Sequence, residues 1–278
     1  MKPVRSLVFT GLGINCEVEM AAAYRLAGAH ADIFHINDLF HGGISIHGYH
    51  ILNFPGGFSF GDDLGAGRAL ANRLKYRRLP AGNRFIDELT VFIENGNFIL
   101  GICNGFQVLV NMGILPNIRD AREQEVALVV NDSGRFEDRW CSCGVRSDSR
   151  SPFLSGIRCL DLPVRHGEGK LVVSDRAIRD EIEKRSLTCL FYSDESGHPT
   201  DRYPFNPNGS DLSCAGLTDM TGRILGMMPH PEAYLSPYNH PHRANLAARE
   251  ANKENGLLMF QNIVDHISSG RSLHNHGG

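Results

Sequence analysis

The spacing of apolar residues changes period several times along the chain, and each change marks an element. Val4 to Thr10 alternates and then runs apolar into Gly11-Leu12-Gly13, the pattern of a first strand. Asn15 then stands where it can cap a helix carrying Val18, Ala21, Ala22 and Leu26 and stopping at Gly28. Ala31 to Ile36 and Tyr49 to Phe54 predict two further strands, the second ending at Pro55-Gly56-Gly57. Arg84 to Asn95 has helical spacing at Phe85, Ile86, Leu89, Phe92 and Ile93 and ends before Gly96, and Asn97 to Ile102 predicts the next strand. Strands alternating with helices predict an α/β fold with a mostly parallel central sheet flanked by helices, where ligands sit beyond the carboxyl ends of the strands. From Glu125 onward the apolar pieces shorten: Val126 to Val130, Leu160 to Val164, Lys170 to Val173 and Thr188 to Tyr192, joined by turns such as Asn206-Pro207-Asn208-Gly209-Ser210. They predict additional antiparallel strands. Arg223 to Met228 reads as a late strand and Leu257 to Ile267 as a closing amphipathic helix. The expected organisation is a single domain over residues 1–268 and a flexible tail over 269–278.

Composition narrows the function class. With 28 Lys and Arg against 31 Asp and Glu, the net charge of −3 gives no electrostatic reason to expect nucleic acid or an anionic membrane as partner. Leu7-Val8-Phe9 is too short for a signal peptide, and no segment approaches a membrane span. Seven cysteines, an odd number in a chain large enough not to need staples, predict reduced thiols and a cytoplasmic protein.

One of those thiols has unusual neighbours. Gly101-Ile102-Cys103-Asn104-Gly105 follows an apolar strand and fits a nucleophile elbow with cysteine in the serine position, a turn so sharp that it demands small flanking residues. A helix over Asn104 to Met112 would point its N-terminus at the sulfur and favour thiolate. By itself the elbow fits a buried structural cysteine equally well. Met228-Pro229-His230-Pro231-Glu232 supplies a partner: a strand-like approach puts His230 and Glu232 on one side, with Pro231 stiffening the link. Cysteine, imidazole and carboxylate each near a strand end then make a Cys-His-acid system. The glycines of Pro55-Gly56-Gly57 leave backbone N–H groups accessible, one of which can join that of Asn104 in an oxyanion hole. Gly11-Leu12-Gly13 begins like a dinucleotide fingerprint, but Cys16 takes the third glycine position. Cys141, Cys143 and Cys159 lack zinc-knuckle spacing, so no metal is expected. The histidines His35, His41, His47 and His50 read as solvated or turn-capping, and Arg73 to Arg78 as a solvated helix face.

Together, GICNGFQ from Gly101, PGGFSFGDD from Pro55 and GMMPHPE from Gly226 resemble the triad-type class I glutamine amidotransferases. More closely, Asn15-Cys16, FPGGFSFGDDLGAG from Phe54, LGICNGFQVLVNMGILP from Leu100, RFEDRW from Arg135, RHGEGK from Arg165, NPNGSDLSCAGLTD from Asn206 and GRILGMMPHPE from Gly222 resemble the glutaminase subunits and domains of phosphoribosylformylglycinamidine synthases, over nearly the whole chain. The resemblance implies a flavodoxin-like amidotransferase fold, with Cys103 as nucleophile, His230 as general acid and base, Glu232 as its orienting acid, and Gly57 and Asn104 in the oxyanion hole. Gln107, His166, Gly167 and Glu168 fall in segments that lie near glutamine in such enzymes. The implied reaction is hydrolysis of L-glutamine through a cysteinyl thioester, with ammonia passed to an ATP-dependent synthase subunit, a small accessory subunit being compatible with this. No cofactor is expected on this chain, which has no glycine-rich phosphate loop; ATP and Mg belong to the synthase subunit. Leu12, Ala233-Tyr234 and an insertion over 235–255 depart from the family pattern. Two other readings share these residues: a catalytically silent binding subunit, and a cysteine hydrolase of the same fold acting on another amide.

Overall fold

The computed structural model describes residues 3–241 and 255–270. The predicted alternation is present: β1 (Arg5–Thr10), α1 (Glu17–Leu26), β2 (His30–His35), α2 (Ile36–His41), β3 (Ile51–Phe54), α3 (Arg68–Tyr76), α4 (Phe85–Glu94), β4 (Phe98–Ile102) and α5 (Asn104–Met112). The shorter elements follow as β5 (Ala127–Val129), β6 (Glu137–Val145), β7 (Cys159–His166), β8 (Lys170–Val172), α6 (Arg176–Lys184), β9 (Leu190–Tyr192), β10 (Cys214–Thr218), β11 (Ile224–Met227) and α7 (Leu257–Ser268).

Among the described residues, nine strands form one sheet in the order β2-β1-β3-β4-β11-β10-β9-β6-β7, and β5 pairs with β8 apart from it. The first five are mutually parallel, whereas every neighbouring pair from β11 to β7 is antiparallel. β3, β4 and β11 are buried at every position, as strands covered on both faces require, so they read as apolar runs. Strand order reverses between β1 and β3, and right-handed crossovers therefore place α1 on one face and α3 and α4 on the other. α1 meets α7 through an edge-to-face contact of Tyr24 and Phe260, with ring centroids 4.9 Å apart. α5, buried at eight of its nine positions, fills the core under β3, β4 and β11.

Several expectations need correction. The cap of α1 is Cys16, not Asn15, and its side chain makes no capping bond. β6, β10, α2 and α6 were not legible. The strand β6 (EDRWCSCGV) and the buried β10 (CAGLT) are poor in β-branched residues and are held by partners on both sides. Helix α6 buries only Ile178 and Ile182, though Asp175 caps it by accepting from the Ala177 and Ile178 N–H groups. His35 does cap: its side chain accepts from the Asn37 N–H at the start of α2. Of the expected tail, Ser269 and Gly270 continue from α7; residues 271–278, and 242–254 of the insertion, lie outside the described residues.

Candidate active site

β1, β3, β4 and β11 end on the same side of the sheet, and the segments that leave them bring the candidate residues together. Cys103 occupies the single position between β4 and α5, at φ 51° and ψ −107°, a conformation that costs a non-glycine residue about 1–3 kcal/mol. The elbow glycines explain how the turn fits. A Cβ on Gly105 would stand 1.7 Å from the Phe54 carbonyl oxygen, and one on Gly101 would stand 2.6 Å from Leu109 and 2.9 Å from the Gly105 backbone. The Cys103 N–H donates to the Met227 carbonyl at 2.7 Å, tying the elbow to the end of β11. Its Sγ lies 3.5 Å from the Arg165 carbonyl oxygen on β7.

His230 and Glu232 do converge, but through a different local structure than a strand. β11 ends at Met227, and Pro231–Ala233 forms one 3-10 turn, to which the fixed φ of Pro231 is suited. The His230 N–H donates to the Pro163 carbonyl of β7 at 2.9 Å, which sets the backbone. His230 Nδ1 then lies 2.6 Å from Glu232 Oε1, with the two side chains 3% and 1% exposed. Burial opposes protonation of the ring. The Glu232 carboxylate, with the thiols of Cys103 and Cys16, outweighs it and holds the imidazole well above its ordinary pKa. Nδ1 is committed to Glu232, so Nε2 is left, buried, as the proton-transfer atom.

Of the two residues expected to supply oxyanion donors, Asn104 directly follows the thiol in sequence. Asn104 begins α5, where N–H groups have no intrahelical acceptor. Gly57 sits at φ 143°, and a Cβ there would meet the Gly13 carbonyl oxygen at 2.5 Å. The antiparallel bridge between Ile14 and Gly57 is made by the Asn15 and Phe58 N–H groups, which leaves the Gly57 N–H outside the pairing. The Asn104 side chain clamps the two segments: Oδ1 accepts from the Ser59 N–H at 3.3 Å, and Nδ2 donates to Asp62 and to Gln107 Oε1 at 3.3 and 2.9 Å. Gln107 Nε2 donates to the Glu168 carbonyl, while Glu168 Oε2 accepts from the Ala66 N–H at 3.0 Å. Gln107 and Glu168 thus line the loop beside the elbow. His166 and Gly167 are held by Asn131: the Gly167 carbonyl accepts from the Asn131 N–H at 2.9 Å, and His166, near enough to His230 to feel its charge, is buried with Nδ1 3.1 Å from Asn131 Oδ1.

Residues 3–267 match the family described as the CobB/CobQ-like glutamine amidotransferase domain. The chain belongs to this family. A phosphoribosylformylglycinamidine synthase subunit PurQ of Methanococcus maripaludis is 41% identical over 273 residues, 94% of this chain and 97% of that protein. The phosphoribosylformylglycinamidine synthase of Drosophila melanogaster is 37% identical over 246 residues, 86% of this chain but 18% of that much longer protein. A chain in the structure of PurLQS from Thermotoga maritima superposes with a TM-score of 0.69 at 25% identity, covering 95% of this chain and 99% of that one. Within the amidotransferases the chain therefore groups with phosphoribosylformylglycinamidine synthase subunits, as its motifs indicated.

One residue of this amidotransferase site was missed by sequence reasoning. Cys16, at the start of α1, reaches the ring of His230. Burial raises its thiol pKa, a hydrogen bond to His230 opposes that, and the Glu232 charge adds to the rise. The only signal was its place after Asn15 in a family segment. The same loop answers the dinucleotide reading: the Gly13 carbonyl accepts from the Phe58 N–H at 2.8 Å, and a Cβ on Gly13 would stand 2.2 Å from the Phe58 oxygen, so the turn packs on protein. Cys141 and Cys143 lie buried in β6, burial pushing the Cys141 thiol up to about 12, and Cys159 is exposed at the start of β7.

Proposed function

We propose that Cys103, His230 and Glu232 hydrolyse L-glutamine as the glutaminase machinery of a phosphoribosylformylglycinamidine synthase, a carbon–nitrogen ligase of purine biosynthesis. The observation that carries this reading is a strained cysteine between a strand and a helix N-terminus, beside an imidazole fixed by a buried carboxylate at 2.6 Å. His230 Nε2 takes the thiol proton, and Cys103 Sγ attacks the side-chain carbonyl carbon of glutamine. The oxyanion that forms is received by the Gly57 and Asn104 N–H groups. His230 returns the proton to the departing nitrogen, releasing ammonia and leaving a thioester on Cys103. Water, deprotonated by the same imidazole, then cleaves the thioester to glutamate. Gln107 and Glu168 border the space where glutamine binds. His166 and Gly167, fixed by Asn131, shape that wall from behind.

The ammonia goes to an ATP-dependent synthase subunit that converts the formylglycinamide ribonucleotide amide to an amidine. ATP and Mg act there and this chain carries neither. The PurLQS assembly supports such a partner together with a small accessory subunit, and the Drosophila protein supports the same pairing within one polypeptide. We place the reaction in the cytoplasm. Among the described residues no helix is long and apolar enough to cross a membrane.

The test is glutamate release from glutamine by the chain mixed with its synthase subunit, ribonucleotide substrate and ATP. Cys103→Ala is expected to abolish glutamate release and glutamine-dependent amidine formation while amidine synthesis from ammonium salts persists. Loss of both syntheses would assign Cys103 to assembly, and glutamate release that survives Cys103→Ala would overturn the reading.

A further inference from the structure

Cys16 does nothing in the hydrolysis just described, yet it is placed against its proton carrier. Its Sγ, one ring nitrogen of His230 and one carboxylate oxygen of Glu232 all lie within 4.8 Å of one another, the one such cluster of three His, Cys, Asp or Glu side chains among the described residues. The approach depends on Gly56: a Cβ there would stand 2.8 Å from His230 Cε1 and 3.3 Å from Cys16 Sγ, so with no side chain between them the thiol and the ring face each other. A further atom points to a ligand: Glu232 Oε2 is buried without a hydrogen-bond partner, on a side chain 1% exposed. A sulfur, an imidazole nitrogen and a carboxylate oxygen are the donor set of zinc, whose bonds of about 2.0–2.3 Å put tetrahedral ligand atoms roughly 3.3–3.7 Å apart. Closing the observed group to that size takes side-chain movement of about 1 Å.

We propose that Cys16, His230 and Glu232 form an inhibitory site for a thiophilic divalent cation, Zn2+ in the first instance. On binding, the Cys16 thiol and His230 Nδ1 give up their protons to solvent, and the ion takes Nδ1 together with the carboxylate that oriented it. The fourth position is left for water. With the ion on Nδ1 the ring's remaining hydrogen sits on Nε2, which then cannot take the Cys103 proton, and glutamine hydrolysis stops. The inhibition rests on the proposed glutaminase function; the binding does not, and is read separately.

The experiment titrates Co2+, as a coloured stand-in for Zn2+, into the full chain freed of metal by a chelator. Absorption from the cobalt–thiolate bond is followed, then displacement by Zn2+ against a colorimetric chelator. One equivalent is expected to bind in the unaltered chain and in Cys103→Ala, and affinity is expected to fall by about 100-fold or more in Cys16→Ala, which loses the thiolate ligand. Cys16→Ser, close in size, serves where the alanine variant fails to fold, and circular dichroism checks both. Binding that survives loss of Cys16, binding that needs Cys103 instead, or no binding in the unaltered chain would each overturn the site. Stoichiometric Zn2+ that binds without slowing glutamate release would overturn the inhibition, and an absence of glutaminase activity before any metal is added would fault the functional reading and leave the site standing.

Discussion

Glu232→Gln isolates the carboxylate's charge from its shape. The side chain is 1% exposed and touches His230 Nδ1 at 2.6 Å, so the charge that develops on the ring is balanced at short range with little water between. With an effective dielectric constant near 20 and charge centres about 4 Å apart, the attraction is about 4 kcal/mol. A glutamine amide oxygen can still accept from the Nδ1–H, retaining about 1 kcal/mol. The remaining loss of about 3 kcal/mol corresponds to roughly a 100-fold fall in kcat. Glu232 meets the ring and not glutamine, so KM should stay within about 3-fold. The pH dependence moves as well. Burial opposes charge on His230 and Glu232 outweighs it. Without that charge the imidazolium deprotonates at lower pH, and the alkaline limb of kcat/KM shifts to lower pH. Steady-state glutamate release by the complex across pH gives both readouts. A fall under about 5-fold with an unmoved alkaline limb would refute the argument that this carboxylate supports the imidazolium.

Gly105→Ala should be structurally intolerable, because its Cβ would lie 1.7 Å from a backbone oxygen of β3 that cannot yield; a loss of about 3 kcal/mol or more in a urea titration is expected. Gly28→Ala, at φ 90° with no heavy atom within 4 Å of its Cβ, isolates backbone strain at about 1 kcal/mol, and equal losses at the two sites would refute the steric account of the elbow. His166 gives a pH signature in stability. Burial first, and then the neighbouring His230 charge, lower its pKa from 6.5 to about 3. Between those values the unfolded chain binds a proton that the folded chain does not. The stability from this group is therefore whole above about pH 6.5 and is lost as pH falls toward 3, by up to about 1.4 kcal/mol per unit. His166→Gln should flatten that part of the acid limb in urea midpoints measured from about pH 7 to pH 4, and an unchanged slope would show that other groups set it.

What could be read from the sequence was whatever a short stretch enforces on itself. Phe98 to Ile102 is buried throughout and therefore apolar throughout, and Gly101 and Gly105 are needed because the chain passes within van der Waals distance of Leu109 and Phe54. The elbow and the strands were legible for that reason. β6 and β10 were not, since their stability comes from neighbours distant in sequence: β6 is paired along β7 from Glu137 to Gly144, a tertiary context that overrides the weak strand preference of Asp, Ser and Gly. His230 and Glu232 were identified correctly while the backbone linking them was not, because a proline between two polar residues suits an extended link and a 3-10 turn alike. Cys16 escaped notice because only the fold brings the residue that caps α1 to the ring of His230.

His166, Gly167 and Glu168 show the opposite case, a stretch conspicuous in sequence whose work is partly structural. Asn131 Nδ2 donates to the carbonyls of Arg135 and His166 at 2.9 and 2.8 Å, and its Oδ1 accepts from the Gly169 N–H at 3.0 Å. Those bonds fix the amide's orientation, so His166 Nδ1 must carry the hydrogen and donate to the same Oδ1. From the other side, Asn208 Nδ2 donates to the Gly169 carbonyl at 2.8 Å and Ser210 Oγ accepts from the Leu171 N–H at 3.0 Å. Three separated segments around Asn131, His166 to Gly169, and Asn206 to Ser210 thus satisfy one another's buried polar groups. Leaving one unpaired would cost about 1–3 kcal/mol, which constrains all three together. What they hold still is the end of β7. Its Arg165 carbonyl sits against Cys103 Sγ, and its Pro163 carbonyl anchors the His230 N–H. The thiol and the imidazole therefore share one support. The antiparallel extension of the sheet, least readable in the sequence, is the part of the fold that sets the nucleophile and its proton carrier against each other.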